Sequence, residues 1–362
     1  MSIPTSLWVI PVANMGGVAR HVLDATRVGI PGFEIGVLCP EGPLAERLRE
    51  QDVTVHVGDF GPHAGLWKSR TSLRRAIAQL RPDIIHTHLS YADIVASMVR
   101  LPPTTIRVST EHGIASDEAL YHSSPLKAGV MKLAHRWRLS RTRGVIAVSR
   151  STRDVMIQQW KPATDIVVIY NGVDRPPSSR GNIANNSPIR VLSLCRLSPE
   201  KRIDKLIEAF GQLKRQHPSA TLTIAGEGPL RGQLEAQVAG LGLQASVTFP
   251  GYVDPEVALA KASVLAQLSH WENCSYTLLD ARVGGAGIVA SAVGGNAEIL
   301  DGDELVNPEI IDEVVDALIR QHASGAKPPQ SWLSVEEMCL QIGAAYDAWR
   351  AVPATSRGRL AR

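Results

Sequence analysis

Residues 189–215 read IRVLSLCRLSPEKRIDKLIEAFGQLKR. The opening run, 189–194, is short and mostly aliphatic, the pattern of a buried strand. Ser198 suits a helix N-cap and Pro199 the first helical position. Ile203, Leu206, Ile207, Phe210 and Leu213 then recur on one face at helical spacing. The stretch therefore predicts a strand followed by a helix over 200–215, half of a βαβ unit. Lys201 falls in the first helical turn, where a cation opposes the helix dipole. Arg196 and Lys201 stand just beyond the carboxyl end of a strand, where free backbone N–H groups also point. That combination suits a diphosphate; the plainer reading is two surface cations near a turn.

The same rhythm extends in both directions. Upstream, strands are expected at 7–12, 33–39, 53–57, 83–86, 105–110, 144–148 and 166–169, with helices at 18–27, 42–50, 67–80, 91–99, 125–140 and 150–159. Downstream, strands at 220–225, 246–249, 264–268 and 288–290 alternate with helices at 230–241, 255–262, 276–283, 296–300 and 310–321. Strands separated by helices of this length imply mainly parallel, doubly wound sheets. Between the halves, residues 171–188 (NGVDRPPSSRGNIANNSP) are rich in Pro, Ser, Asn and Gly and read as a flexible linker. A final helix is expected over 335–349, and the tail 352–362 reads as disordered.

At 362 residues the chain has room for two α/β domains, and 44% hydrophobic and 20% charged residues are ordinary for a globular protein. Its four cysteines, Cys39, Cys195, Cys274 and Cys339, form no CxxC pair, which points to free thiols in a reducing compartment. No apolar run is long enough to span a bilayer. The opening MSIPTSLWVIPVA lacks a basic region and reads as a first strand, not a signal peptide. The net charge of +3 is unevenly spread: residues 1–180 hold 22 Lys and Arg against 15 Asp and Glu, and the remainder 16 against 20. Different partners for the two halves follow.

Other candidates surround the first. Glu272 lies in a polar loop just past strand 264–268, and Asp280 eight residues on, in a helix. Carboxylates at a strand's carboxyl end are where open α/β sheets place ligand chemistry, although a random pair of acids is more often solvated. Gly16 and Gly17 permit close backbone approach but make no GxGxxG fingerprint. His112 follows strand 105–110, and His86 and His88 share one face of an extended segment. No third ligand stands near them in sequence, so no metal is expected. Asp301 and Asp303 form a DxD that reads as a turn. Two basic stretches, 67–81 (Lys68, Arg70, Arg74, Arg75, Arg81) and 127–143 (Lys127, Lys132, Arg136, Arg138, Arg141, Arg143), suit an anionic membrane surface or an anionic acceptor; the alternative is a solvated helix face. No aromatic platform accompanies them, so no nucleic-acid partner is expected.

Taken together, Gly16-Gly17, RPDIIHTH (81–88), TEHG (110–113), VIAVSRSTRD (145–154), VIYNGVD (168–174), RLSPEKRIDKLIEAF (196–210), LTIAGEGPLRGQLE (222–235) and GGNAEIL (294–300) closely resemble glycosyltransferase family 4, in order and over nearly the whole chain. The resemblance implies an α/β GT-B fold: two Rossmann-like, doubly wound domains facing across a cleft. It implies residues 1–173 as the acceptor-binding domain, joined by a C-terminal helix at about 335–351, and 174–334 as the nucleotide-sugar domain. It implies a metal-independent, retaining transferase without cofactor, using UDP-sugar in preference to GDP-sugar and acting on a glycan or lipid-linked acceptor in surface polysaccharide or glycolipid assembly. It places such a protein in the cytoplasm, peripheral to the inner face of the cell membrane. By the same resemblance Arg196 and Lys201 hold the donor diphosphate, Glu272 and His112 reach the donor sugar, and Asp280 meets the ribose. Gly16, Gly17, Glu227, Ser275, Tyr276 and Thr277 complete the donor contacts. The family usually has EGFGLxxLEAMAxGxPVV where this chain has ENCSYTLLDARVGGAGIV, so Asn273 and Ser275 replace glycines, Asp280 replaces Glu and Gly287 replaces Pro. An altered donor-sugar pocket is the expectation from these changes. A catalytically silent GT-B paralogue serving as a partner subunit, or a sugar-nucleotide epimerase, are the alternatives.

Overall fold

The computed structural model describes residues 3–114, 125–174, 187–324 and 331–352. Most of the expected linker and of the expected disordered tail lies outside the described residues, as does the side chain of Lys127. The chain divides into two compact units, Met1–Gly172 with Leu333–Arg362, and Val173–Trp332.

The first unit is built from β1 (Thr5–Val9), α1 (Gly17–Val28), β2 (Glu34–Cys39), α2 (Pro43–Glu50), β3 (Thr54–Val57), α3 (Gly65–Leu80), β4 (Ile84–His88), α4 (Ser90–Ser97), β5 (Ile106–Glu111), α5 (Pro125–Ser140), β6 (Gly144–Ala147), α6 (Arg150–Trp160) and β7 (Asp165–Val168). Its seven strands are parallel, in the order β3-β2-β1-β4-β5-β6-β7. Leu7, Trp8 and Val9 of β1 are all fully buried, because a central parallel strand is covered by helices on both faces.

The second unit comprises β8 (Arg190–Leu194), α7 (Ile203–Gln216), β9 (Thr221–Ala225), α8 (Arg231–Gly240), β10 (Val247–Gly251), α9 (Pro255–Lys261), β11 (Val264–Gln267), α10 (Tyr276–Val283), β12 (Gly287–Ser291), α11 (Asn296–Ile299), β13 (Leu305–Val306) and α12 (Ile311–Ala323). Its sheet is also parallel, ordered β10-β9-β8-β11-β12-β13. The apolar face read from the sequence of α7 packs into this unit's core, with Ile203, Leu206, Ile207, Phe210 and Leu213 all buried. Asp204 in its first turn and Lys214 and Arg215 in its last complement the dipole.

The last helix, α13 (Val335–Ala351), opens on a capping box between Ser334 and Glu337. Its buried face joins the first unit's core with Met338, Ile342, Tyr346 and Trp349. Gly144 at the start of β6 makes room for it: a Cβ there would lie 2.0 Å from the Trp349 ring.

In each sheet the strand order reverses once, between β1 and β4 in the first unit and between β8 and β11 in the second. Loops leaving the carboxyl ends of such a pair diverge and leave a crevice, the usual ligand position in open α/β sheets. Two corrections to the sequence reading bear on the second crevice. The helix expected from 200 begins at Ile203; Pro199–Lys201 is a separate 3-10 turn, and Arg202 between them is left-handed at φ 51°. Lys201 is thus outside the α-helix, one residue before its N-cap Arg202. Ser198 does not cap through its side chain; its hydroxyl binds Glu200. The two-residue strand β13 was not anticipated.

Candidate functional site

The crevice between β8 and β11 gathers the charged residues singled out in the sequence. Lys201 Nζ forms an ion pair with Glu272 Oε1, joining the turn after β8 to the loop after β11. Ser269 Oγ donates to the same carboxylate at 2.8 Å. Arg196 Nη2 pairs with Glu200 Oε1 at 2.8 Å, and Ser198 Oγ donates to that oxygen at 2.7 Å. The His270 amide donates to the Glu200 carbonyl at 2.8 Å, tying the two loops together by backbone as well. Each acid is thus pinned by one hydroxyl and one cation. The Arg196 side chain is 68% exposed while that of Glu200 is 10% exposed, so the guanidinium faces outward from a buried anchor. Burial works to raise the Glu200 pKa, but hydrogen bonds from Ser198, the backbone and Arg196 outweigh it and hold the carboxyl below its usual range.

Glycine is required at two places around this crevice. Gly226, after β9, has φ +136° and a Cβ there would lie 1.9 Å from the Cys195 carbonyl oxygen. Gly294, with φ +50°, would place a Cβ 1.9 Å from the Glu272 carbonyl oxygen. The Gly294-Gly295 loop therefore packs directly on the backbone that presents Glu272, and the Gly295 amide donates to that carbonyl at 3.3 Å.

The remaining candidates of this unit lie nearby in sequence with distinct settings. Ser275 is the N-cap of α10: its hydroxyl accepts from the Leu278 amide and donates to Gln267 Oε1 at 3.0 Å. That hydroxyl is committed to the helix and to β11. Tyr276 is buried, Thr277 and Asp280 are half-buried, and Asp280 sits in the second turn of α10. Glu227 pairs loosely with Arg231 at 3.4 Å. Gly287 begins β12 with a would-be Cβ 2.9 Å from the Gln321 carbonyl, so a small residue is needed there. Asp301 and Asp303 are structural, as expected of a turn: Asp301 caps a 3-10 turn and binds Arg282, and Asp303 accepts from Gln321.

In the first unit the crevice between β1 and β4 holds a cluster of imidazoles. Gly16 and Gly17, both exposed, lead into α1, which carries His21 on its buried face. His88 ends β4, and His112 follows β5. His88 Nδ1 and His112 Nε2 are 2.8 Å apart, and the His21 and His112 rings lie 4.8 Å apart. His86 is committed elsewhere, to Tyr346 at 2.5 Å and Thr110 at 2.7 Å. Burial lowers the pKa of His21 to about 4, despite its hydrogen bond to Asn171, and drives His86, His88 and His112 well below the usual range. The rings are neutral at pH 7. His21 was not anticipated: a single histidine on an amphipathic helix gives no signal in sequence.

The basic stretch 127–143 is not one solvated face. Arg138 is fully buried, paired with both Asp93 and Glu111, and its guanidinium lies 5.0 Å over Trp160. Burial pushes both carboxyls up against the opposing pull of Arg138. Glu111 immediately precedes His112, so this triad anchors the loop that carries it.

Comparison with known proteins matches this geometry. Residues 15–175 match the model of Glycosyltransferase Family 4, and residues 174–328 that of Glycosyl transferases group 1. The glycogen synthase of Mycobacterium tuberculosis is 28% identical over 330 residues, covering 80% of this chain and 78% of that protein. The GDP-mannose-dependent alpha-(1-6)-phosphatidylinositol dimannoside mannosyltransferase of the same species is 31% identical over 153 residues, 39% of each chain. HepE of Anabaena, solved in complex with UDP and glucose, superposes with a TM-score of 0.78 at 20% identity over 95% of this chain and 99% of its own. Two family models that together match residues 15–328, and a shared fold over nearly the whole chain, converge on one assignment: the chain belongs to glycosyltransferase family 4 and is a glycosyltransferase of the GT-B fold.

Proposed function

We propose that this chain is a retaining transferase that moves a sugar from a nucleotide-sugar to a glycan or lipid-linked acceptor in surface polysaccharide or glycolipid assembly. The observation that carries this reading is the Lys201–Glu272 pair across the β8/β11 crevice, with Arg196 exposed beside it. A donor diphosphate would take over Lys201 and Arg196, and Glu272, released from Lys201, would turn to the sugar. The two cations then stabilise charge developing on the departing nucleoside diphosphate, a role for which this reading needs no metal. Retention follows if a donor phosphate oxygen accepts the acceptor's proton, which leaves the protein no base to supply. The family resemblance adds Asp280 on the ribose, and His112 with the backbone of Gly16 and Gly17 on the donor. The family resemblance favours UDP over GDP; among similar proteins, HepE was solved with UDP and the mannosyltransferase is named for GDP-mannose.

The test is sugar transfer by Lys201→Ala and Glu272→Gln. Each is expected to lose about a hundredfold to a thousandfold in kcat, the scale for removing one preorganised charge-stabilising group, with the fold intact by circular dichroism. Full transfer by both variants overturns the reading.

Lipid contact is part of the same proposal. Among the described residues no helix is long and apolar enough to cross a membrane. On α5, however, Val130, Leu133 and Trp137 are exposed beside Lys132, Arg136 and Arg141, and on α3 Trp67 is 72% exposed beside Lys68 and Arg70. Exposed apolar groups among cations suit an anionic bilayer surface on the cytoplasmic side. Vesicles containing anionic lipid are expected to retain the protein at low salt and release it at high salt. Failure to bind at low salt removes the membrane from the proposal.

A further inference from the structure

The imidazole cluster of the first unit has the make-up of a cation site. His21 from α1, His88 from β4 and His112 from the loop after β5 each offer a ring nitrogen, and these atoms all lie within 4.8 Å of one another. Three further facts set them apart from an ordinary packed core. His21 Nδ1 is 3.2 Å from Asn171 Oδ1, and an amide oxygen only accepts, so Nδ1 carries the proton and Nε2 keeps its lone pair. An outer partner that fixes the tautomer in this way is the usual companion of a metal-ligating histidine. His88 is fully buried, yet its Nε2 has no hydrogen-bond partner, so no second contact locks its ring in one tautomer. His88 and His112 meet nitrogen to nitrogen at 2.8 Å, a contact that needs a single proton between two lone pairs. A cation can take both lone pairs once that proton moves to the other nitrogen of its ring, as His88 Nε2 is free to allow, and both imidazoles stay neutral. His86, by contrast, has both nitrogens occupied by Tyr346 and Thr110, so the HxH pair visible in sequence is not the ligand set.

We propose that His21, His88 and His112 bind one divalent cation of the zinc class, with the fourth position open to water beside the half-buried His112. Three neutral nitrogen donors without a carboxylate favour zinc, cobalt, nickel or copper and disfavour magnesium and calcium. Zinc bound at 2.0–2.1 Å in a tetrahedron spaces its nitrogens by about 3.3 Å. The 2.8 Å pair would open by roughly half an ångström and the widest separation would close. Trp8 walls the cluster, with its ring 4.6 Å from that of His88. One consequence rests on the donor role proposed for His112: a bound cation takes its lone pair, so the metal inhibits transfer and is not a cofactor.

The experiment uses tag-free full-length protein, stripped with chelator and titrated with Co²⁺. The expected result is one equivalent bound with visible absorption of tetrahedral strength, displaced by Zn²⁺. His21→Gln and His88→Gln are each expected to weaken Co²⁺ binding at least about a hundredfold. Asn171→Ala, outside the ligand set, is expected to weaken it about tenfold and serves if either ligand variant fails to fold. Absence of stoichiometric binding, a weak six-coordinate spectrum, or a spectrum unchanged in the variants overturns the site. Zn²⁺ that binds at this site and leaves transfer untouched upholds the site and counts only against the role of His112.

Discussion

Ser275 stands where relatives of this family carry a glycine, and the replacement invites a reading in terms of donor specificity. Its surroundings say otherwise. The hydroxyl caps α10 through the Leu278 amide and donates to Gln267, which leaves the residue facing the sheet. Ser275→Ala is therefore expected to cost about 1 kcal/mol of stability, the usual value of an N-cap, measured by urea unfolding, with the donor KM changed less than twofold. A tenfold rise in KM with unchanged stability would instead put the hydroxyl on the donor. The residue scale is also where sequence reading was least complete. Lys201 and Glu272 were both singled out by type and by their place at strand ends, but nothing in one dimension shows that residues 71 apart in the chain touch. Glu200, which anchors Arg196, was not among the candidates read from the sequence. His21 was invisible because its partners come from β4, the loop after β5 and Asn171, far away in the chain.

At the scale of elements, the alternation of apolar runs with 3.6-residue periodicity was legible because parallel strands buried on both faces leave continuous aliphatic runs. The failures have physical causes. The start of α7 was misplaced because Arg202 adopts a left-handed conformation without the glycine that usually marks one. β13 escaped because two residues cannot show a period. Helix α5 was read as a basic surface because charge count does not reveal direction. Arg138 instead points inward to Asp93 and Glu111, and the three side chains are nearly inaccessible to solvent. Removing one member of a buried ion group leaves uncompensated charge, typically at a cost of about 3–5 kcal/mol. Arg138→Met is expected to lose that amount in urea unfolding. The triple variant with Asp93→Asn and Glu111→Gln, which removes the stranded carboxylates too, is expected to recover most of it. Equal losses in the single and triple variants would mean that the triad matters through packing on Trp160 and not through charge.

At the scale of the whole molecule, each unit closes a core of its own, one around α7 and β8–β13, the other around β1, β2, β4 and the returning helix α13. Each sheet also reverses its strand order once. Separate cores imply that stability is divisible, and the division gives a test of which unit holds the nucleotide. Trp349 fills the space left by Gly144 and donates to Asp165, all within the first unit. Trp349→Ala is expected to cost that unit about 3–5 kcal/mol. At roughly 2–4 °C per kcal/mol for a domain of this size, its transition should fall by at least about 6 °C in calorimetry. UDP at a hundred times its Kd adds about 2.7 kcal/mol to whatever binds it. If Arg196 and Lys201 hold the diphosphate, that gain belongs to the second unit, whose transition should rise by about 5–10 °C. It should rise equally in wild type and in Trp349→Ala, because the substitution lies in the other core. In Lys201→Ala the rise should shrink, since one of the two cations is gone. A UDP shift that follows the first unit's transition, or that survives intact in Lys201→Ala, would place the nucleotide away from the β8/β11 crevice.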